Sequence, residues 1–285
     1  MSKDTLFYQK HTINCGGKII NLSSALVMGI INITPDSFYK DSRALSTGEV
    51  LAKVEKMIAD GADMLDVGAA STRPGSKIIS PAEEQERLLP MLKEIVKNYP
   101  EIIISVDTYN SDTAEKAINE GAHIINDISA GRHDKNMFDL VSKLNVPYIM
   151  MHMQGTPENM QNNPEYSNII TEISLYFAEK INILRNKGVN DIIIDPGFGF
   201  GKTLQHNYEL LGGLGYFRIH DYPVLVGFSR KSMINKVLEV NPENALNGTT
   251  VLNTIALMKG AKILRVHDVK EAKEAIKLVA TLKQS

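Results

Sequence analysis

The sequence predicts an α/β protein, a (β/α)₈ barrel preceded by a short N-terminal hairpin. From residue 25 onward, eight short apolar segments that each end in a polar residue alternate with amphipathic helical segments. A helix-ending glycine, a short strand and a polar residue recur in GADMLD (61–66), GAHIIN (121–126) and GAKILR (260–265). Eight units of roughly 35 residues fit the usual barrel size of about 250 residues, and this count disfavours a doubly wound sheet.

The predicted strands are short and aliphatic, as expected for strands covered on both faces of a parallel sheet. Pro147 fits only at the beginning of its strand, because proline cannot donate a hydrogen bond to a sheet ladder. The strands are expected to end at Asn32, Asp66, Asp107, Asn126, His152, Asp195, Ser229 and Arg265.

The first residues and two helices have recognisable ends. Weak alternation over residues 6–13 and 18–22, around Cys15-Gly16-Gly17, predicts a hairpin that plugs the barrel from below. Ser80 and the following proline predict a capped helix to about residue 97, and Gly188 ends a helix that begins near residue 167. We therefore divide the chain into a hairpin extension, residues 1–24, and a single (β/α)₈ barrel domain, residues 25–285.

Composition excludes several classes of protein. A formal net charge of −2 and the lack of a basic run interleaved with aromatic residues argue against nucleic-acid binding. The single cysteine, Cys15, rules out an intrachain disulfide, and no histidine nearby in sequence would activate it. Without a signal peptide or an apolar run of membrane-spanning length, we expect a soluble cytoplasmic protein with no membrane partner.

The segment DPGFGFGK (residues 195–202) is the strongest single indication of a site. It follows three consecutive isoleucines, so an aspartate ends a buried strand just before a glycine-rich turn. The glycines allow the backbone to approach a flat ligand, and Phe198 and Phe200 offer apolar faces. The alternative is a strand ended by an ordinary glycine-rich turn.

In a parallel barrel the strand ends meet at one mouth, so the polar residues there are expected to form a binding site. Asp107, Asn126 and Asp195 suit a flat, nitrogen-rich heterocycle, because carboxylates pair well with an aminopyrimidine edge. Lys231, Arg265 and His267 suit a phosphate. The pattern predicts a heterocycle slot beside an anion slot, although polar residues also end strands for purely structural reasons.

Two loops, residues 32–38 and 70–76, are predicted to be mobile lids that bring Phe38 and Arg73 over a ligand, with ordinary surface turns as the alternative. Neither loop serine has a recognisable triad context, which argues against nucleophilic catalysis. His152 and His267 are not spaced as a zinc pair.

Together these motifs resemble the dihydropteroate synthase family, the folate-pathway enzymes that sulfonamides inhibit. The resemblance covers about residues 25–275, with one motif per predicted strand. The motifs are MGIINITPDSF (28–38), DVG and STRPG (66–68 and 71–75), SVDT (105–108), IND (125–127), MHMQG (151–155), DPGFGFGK (195–202), SRKS (229–232) and RVHDV (265–269).

The resemblance implies a TIM-type barrel that condenses (7,8-dihydropterin-6-yl)methyl diphosphate with 4-aminobenzoate in the presence of Mg²⁺, releasing pyrophosphate and 7,8-dihydropteroate. It assigns pterin binding to Asp107, Asn126, Asp195, Lys231 and Arg265. It assigns diphosphate binding to Asn32, Thr72, Arg265 and His267, with Asn32 as the magnesium ligand. It places Phe38, Arg73, Pro74, Phe200 and Ser232 around the aminobenzoate.

The resemblance also implies sulfonamide inhibitors as ligands and a homodimer, with helices near the C-terminus as the expected interface. Two segments depart from the family pattern, YKDS (39–42) and the pair Ala69-Ala70, which bear on lid motion and inhibitor affinity. A corrinoid-dependent pterin methyltransferase and a non-catalytic pterin-binding module are the rival functions. The first should lack the STRPG lid, and the second should have lost Asn32, Arg73 or Lys231.

Overall fold

This computed structural model describes residues 12–33, 43–70 and 79–284, and strands alternate with helices throughout the barrel. The strands are β1 (Thr12–Cys15), β2 (Lys18–Asn21), β3 (Leu26–Asn32), β4 (Met64–Gly68), β5 (Ile103–Asp107), β6 (Ile124–Asp127), β7 (Tyr148–Met151), β8 (Ile192–Asp195), β9 (Leu225–Val226) and β10 (Ile263–Val266). The α-helices are α1 (Arg43–Ala59), α2 (Pro81–Asn98), α3 (Ser111–Asn119), α4 (Met137–Leu144), α5 (Ile169–Asn186), α6 (Leu204–Gly212), α7 (Ser232–Leu238), α8 (Leu246–Met258) and α9 (Val269–Gln284). Two 3₁₀ helices span Leu214–His220 and Pro242–Asn244.

The eight strands from β3 to β10 are parallel and lie in the order β8-β7-β6-β5-β4-β3-β10-β9. The two ends of this sheet meet where the Ile194 amide donates to the carbonyl oxygen of Pro223 at 3.0 Å, beside a parallel bridge between Ile194 and Val224. The sheet is thus a nearly closed barrel. The predicted (β/α)₈ fold is confirmed, and the doubly wound alternative is excluded.

Alternation along the strands separates two apolar regions. One residue in two points outward and packs under the helices, as Ile192 and Ile194 of β8 do. The residues between them point into the barrel. At its amino-terminal end they form one apolar layer, with one side chain from each strand: Met28, Met64, Ile103, Ile124, Ile149, Ile193, Leu225 and Ile263.

The hairpin closes the barrel below this layer. Its turn is Gly16-Gly17, where φ is +61° and +94°, values that glycine adopts without a steric penalty. Ile13, Cys15 and Leu22 pack into the apolar layer, so the predicted hairpin and its position are confirmed. Burial raises the pKa of the Cys15 thiol to about 12, aided by Asp191, which keeps the thiol unreactive. The division at residues 24 and 25 stays a prediction.

Helix ends also follow the sequence. The Ser80 hydroxyl accepts a hydrogen bond from the Glu83 amide at 3.2 Å, while the Glu83 carboxylate pairs with Arg87. Gly188 follows α5 with φ of +81°. The three recurrent glycines, at positions 61, 121 and 260, all have φ near +100°, as expected for glycines that end helices.

Candidate active site

The candidate site begins one layer above the apolar one. Moving up each strand by two residues keeps a side chain on the inner face, and in several strands this residue is polar. Asp66, Ser105, Asn126, Asp195 and Arg265 stand directly above apolar residues of the lower layer. Along each of these strands, the inward-facing side chain therefore changes from apolar to polar or charged over two residues.

Arg265 on β10 links two acidic residues across the barrel. Its Nε donates to Asp66 Oδ2 at 2.6 Å, and its Nη2 donates to Asp107 Oδ2 at 2.8 Å. Asn126 Nδ2 donates to the same Asp66 oxygen at 2.9 Å. The predicted pterin residues Asp107, Asn126 and Arg265 thus belong to one hydrogen-bonded group.

Asp66 is the member that sequence reasoning left without a binding role, although it was expected at the mouth. It is 0% exposed, and its Oδ1 has no hydrogen-bond partner among the described residues. Burial raises the pKa of Asp107 to about 7; Arg265 opposes the rise, and Asp66 and Glu84 reinforce it. Asp66 and Asp107 therefore share one cation, Arg265. Their remaining oxygen atoms can accept hydrogen bonds from a ligand.

Asp195 is the second acidic centre, at the end of β8. Its Oδ1 accepts a hydrogen bond from the Gly197 amide at 2.8 Å. Burial raises its pKa, and the nearby Lys231 is the largest opposing influence. Because the backbone bond engages one carboxylate oxygen, the other remains available to a donor edge of a heterocycle.

Lys231 lies against the glycine-rich loop. Its Nζ donates to the Phe198 carbonyl oxygen at 2.5 Å and stands 4.7 Å from the centre of the Phe200 ring. Burial lowers the pKa of Lys231 to about 8, with Asp195 acting against the change. The predicted neighbours Asp195, Lys231 and Phe200 are brought together.

The glycine-rich loop is packed tightly against the exit of β7. Gly197 has φ of +72°, and a Cβ there would lie 1.9 Å from the His152 carbonyl oxygen, so only glycine fits. Lys202, 3% exposed, donates from Nζ to His152 Nδ1 at 3.1 Å and to the Phe200 carbonyl at 2.9 Å. Sequence reasoning missed this lysine as an anchor; its place at the end of DPGFGFGK was the available signal.

Two expectations for this region are wrong. His152 does not face the mouth: it lies on the outer face of β7, with its ring 4.9 Å from that of Tyr176, and burial lowers its pKa to about 2. Phe198 offers no face to a ligand, because it is fully buried against Phe228 at 4.5 Å between ring centroids. His152 continues the outer face of β7, whereas Phe198 lies in the turn after β8, between the positive-φ residues Gly197 and Gly199.

Phe200 is the aromatic residue of the pair that reaches the mouth. It packs against an apolar cluster on the neighbouring strand ends and loops, formed by Tyr109, Ile128, Met151, Met153 and Met160. This cluster provides an apolar wall beside the acidic residues. Its methionines had no distinctive signal in the sequence.

The expected anion end lies on β10 and its neighbours. Ser229 Oγ and His267 Nδ1 are 2.8 Å apart, and the same hydroxyl oxygen accepts from the His267 amide at 3.2 Å. A hydroxyl has one hydrogen and two lone pairs, so after accepting from this amide it can still donate to Nδ1, the arrangement that places the imidazole hydrogen on Nε2. Burial lowers the pKa of His267 to about 4, and the next largest influence is Lys53 on α1, a cation that sequence reasoning did not include.

Asn32 ends β3, the strand next to β10, and its side chain is exposed. Ser232, predicted near the aminobenzoate, is exposed at the start of α7. Four predicted site residues lie outside the described part of the chain: Phe38, Thr72, Arg73 and Pro74. Both predicted lids also lie outside it, except for residues 32, 33 and 70.

The chain matches known proteins over most of its length. The family described as pterin binding enzyme matches residues 28–267. Dihydropteroate synthase of Escherichia coli strain K12 is 42% identical over 269 residues, which cover 93% of this chain and 95% of the other. That of Streptococcus pyogenes is 39% identical over 270 residues, covering 93% and 98%.

Solved structures agree. Yersinia pestis dihydropteroate synthase in a sulfonamide drug complex has a TM-score of 0.90 at 37% identity, covering 96% of this chain and 100% of that one. The Xanthomonas albilineans enzyme with 4-aminobenzoic acid has a TM-score of 0.89 at 33% identity, covering 97% and 100%. By fold and by family match, the chain is a pterin-binding barrel. It belongs to the dihydropteroate synthase family.

Proposed function

We propose that the protein condenses (7,8-dihydropterin-6-yl)methyl diphosphate with 4-aminobenzoate, forming 7,8-dihydropteroate and pyrophosphate. The observation that carries this proposal is the polarity of one barrel mouth. Asp107, Asn126 and Asp195 supply acceptors suited to the pterin, and Arg265 and His267 supply donors toward β10. The family relationship supports the same reaction.

The chemistry requires this separation of charge. Breaking the carbon–oxygen bond sends its electron pair to the leaving pyrophosphate and leaves a cation on the pterin methylene. Carboxylates near the ring favour the cation, and Arg265 and neutral His267 hydrogen-bond the anion. In this SN1-like sequence the aromatic amine then attacks the methylene, forming the carbon–nitrogen bond and losing one proton, so no protein nucleophile takes part.

Mg²⁺ belongs to the proposal as a metal held mainly by substrate. The described residues contain no group of three or more histidine, cysteine or acidic side chains that could hold a metal ion. Magnesium commonly uses one or two protein oxygens together with substrate phosphates, and the exposed Asn32 amide on β3, beside β10, fits that role. When bound there, Mg²⁺ would supply neutralising charge to the diphosphate.

The rival functions are less well supported. The matched relatives are dihydropteroate synthases, which does not favour a corrinoid-dependent methyltransferase. A non-catalytic pterin-binding module would have no reason to keep an anion end, yet Arg265, His267 and Lys53 collect there. Sulfonamides, bound by one solved relative, are expected to compete with the aminobenzoate.

A homodimer is also part of the proposal. Val251 and Ile255 lie one turn apart on α8 and are 49% and 37% exposed, which is unusual for such large apolar side chains. We expect Val251→Glu to convert a dimer into a monomer in sedimentation velocity, and Lys277→Glu on α9 to leave the dimer intact. A wild-type monomer would refute the proposal.

No helix in the described part of the chain is long and apolar enough to cross a membrane. The cytoplasmic location stays a prediction, and fractionation of cells that make the native protein would test it.

The experiment for the main proposal measures pyrophosphate release from the pterin diphosphate with Mg²⁺, with and without 4-aminobenzoate. Release that requires both substrates and yields dihydropteroate is expected. Slow release without the amine would support departure of pyrophosphate before amine attack. A covalent adduct between pterin and protein would contradict the mechanism, and pterin binding without any release would favour the non-catalytic module.

A further inference from the structure

A second pocket, of about 600 Å³, opens at the end of the barrel opposite the candidate active site. Its walls come from the segment before β3, the 3₁₀ helix Leu214–His220, the loop between α8 and β10, and α9. Because these segments precede β3 and β10, the pocket lies at the amino-terminal ends of the strands. It shares no residue with the candidate active site.

Four cationic residues line this pocket, Arg218, Lys259, Lys262 and Lys283, and none of the described lining residues is acidic. The lysines donate to main-chain oxygens, not to carboxylates. Lys259 Nζ contacts the Gly212 carbonyl at 2.8 Å, Lys262 contacts that of Ser23 at 3.2 Å, and Lys283 contacts that of Leu257 at 2.9 Å.

The cations repel one another at the pocket wall, where Lys259 and Lys262 are half-buried and Arg218 and Lys283 are exposed. Burial lowers the pKa of Lys262, and Lys283 and Arg218 lower it further. Burial and then Arg218 lower the pKa of Lys283. This concentration of positive charge is not a property of the whole chain, whose formal net charge is −2. Like charges held together are unfavourable by themselves, and a bound anion would remove that cost.

The pocket also has an apolar side. Ile276, Val279 and Ala280 of α9 line it, and its volume lies in the range that small organic ligands occupy. We propose that this pocket binds a phosphoryl group, supplied either as free phosphate or as the phosphate of a small organic molecule. In the second case, the organic part lies on the α9 surface.

Arg218 distinguishes a phosphate-binding role of this pocket from a purely structural role of its cations. Lys283 and Lys259 contact carbonyl groups at the carboxyl ends of α8 and α6, a position that favours cations without any ligand. The Arg218 stem lies against Gly260, and its guanidinium has no such carbonyl contact among the described residues. A guanidinium pairs with phosphate through two parallel hydrogen bonds.

The test titrates the intact protein with inorganic phosphate and, separately, with adenosine monophosphate. Calorimetry gives affinity, and amide NMR shifts at Gly260 and Ala261 locate the site. Arg218→Gln keeps part of the stem and removes the charge. Lys277→Gln, an exposed lysine on α9 that does not line the pocket, is the matched control.

We expect binding at this pocket to weaken by about ten- to hundredfold in Arg218→Gln, the range for a lost charge-assisted contact, and to be unchanged in Lys277→Gln. Tighter binding of adenosine monophosphate would identify an organic phosphate, and equal affinity would identify the free anion. The proposal is overturned if neither probe shifts the Gly260 and Ala261 amides, or if Arg218→Gln binds both probes as the wild type does. The lysines would then serve only as partners of helix ends.

Discussion

The two ends of the barrel interior are built on the same strands and differ completely in chemistry. On β8, Ile193 belongs to a wholly apolar layer that the hairpin covers, and Asp195, two residues later, is a buried carboxylate beside Lys231. On β10, Ile263 and Arg265 show the same change. Folding stability and the binding of the pterin substrate are thus assigned to opposite ends of each strand in the barrel interior, as is general in barrels of this type.

The charged end carries an electrostatic cost that the apolar end does not. An Asp66 carboxylate oxygen is buried with no hydrogen-bond partner among the residues that the structure describes, and Asp107 has a raised pKa although Arg265 contacts it. Breaking the apolar end should therefore reduce folding free energy and spare ligand affinity in the molecules that remain folded. Substitutions at the charged end should instead reduce ligand affinity and spare the free energy of unfolding.

The largest expected effect is on folding, from Ile193→Ala. Removing this fully buried side chain from the lower layer should reduce the free energy of unfolding by about 2–5 kcal/mol. Urea denaturation measures this loss. Pterin affinity, measured well below the unfolding midpoint, should stay near the wild-type value. A large loss of affinity at full folding would show that the two ends are not separable.

Asp195→Ala should have the opposite profile. Losing a charge-assisted pair with the heterocycle should weaken pterin binding by about 2–4 kcal/mol. Folding stability should change less than in Ile193→Ala, because the removal of a costly buried carboxylate offsets the loss of its attraction to Lys231. Calorimetry and denaturation of the same samples give both numbers, with Asp191→Ala as the control at the opposite end of β8. Near-normal affinity would refute the assignment of Asp195 to the pterin.

The same distinction explains what the sequence could predict. Strand ends and the polar residues after them were readable, because burial on both faces and the exit to a loop leave a local pattern, as in β8. Whether a residue points inward or outward depends on strand register and on the turn after the strand. The outward position of His152 follows from the first, and the burial of Phe198 follows from the second. Lys53 belongs to a helix distant in sequence from β10, so only the folded chain brings it near His267.

Lys202→Met tests a residue of the charged end that contributes to folding stability as well as to the site. Its Nζ ties the loop that follows Asp195 to the exit of β7, so its loss leaves the His152 and Phe200 carbonyl groups without this donor. We expect stability to fall by about 2–4 kcal/mol and pterin affinity to fall with it. Lys143→Met, which breaks an exposed ion pair with Glu115, should change neither by more than about 1 kcal/mol. A loss of stability with normal pterin affinity would make Lys202 purely structural.

The smallest effect concerns the pH dependence of His267. Its pKa is lowered from 6.5 to about 4 in the folded protein, so the unfolded chain binds the proton more readily. The neutral imidazole therefore contributes stability above its ordinary pKa, and this contribution is lost as pH falls from 6.5 towards 4. The amount is on the order of 1–2 kcal/mol after allowance for solvent screening.

His267→Asn should remove that contribution, so the stability difference between wild type and variant should shrink as the solution is acidified. His152, whose pKa is also lowered, titrates in both proteins and cancels from the difference. Urea denaturation at a series of pH values measures it. A difference that stays constant across this range would mean that His267 is not held neutral at the mouth, and its proposed role as a neutral donor to the leaving pyrophosphate would have to be abandoned.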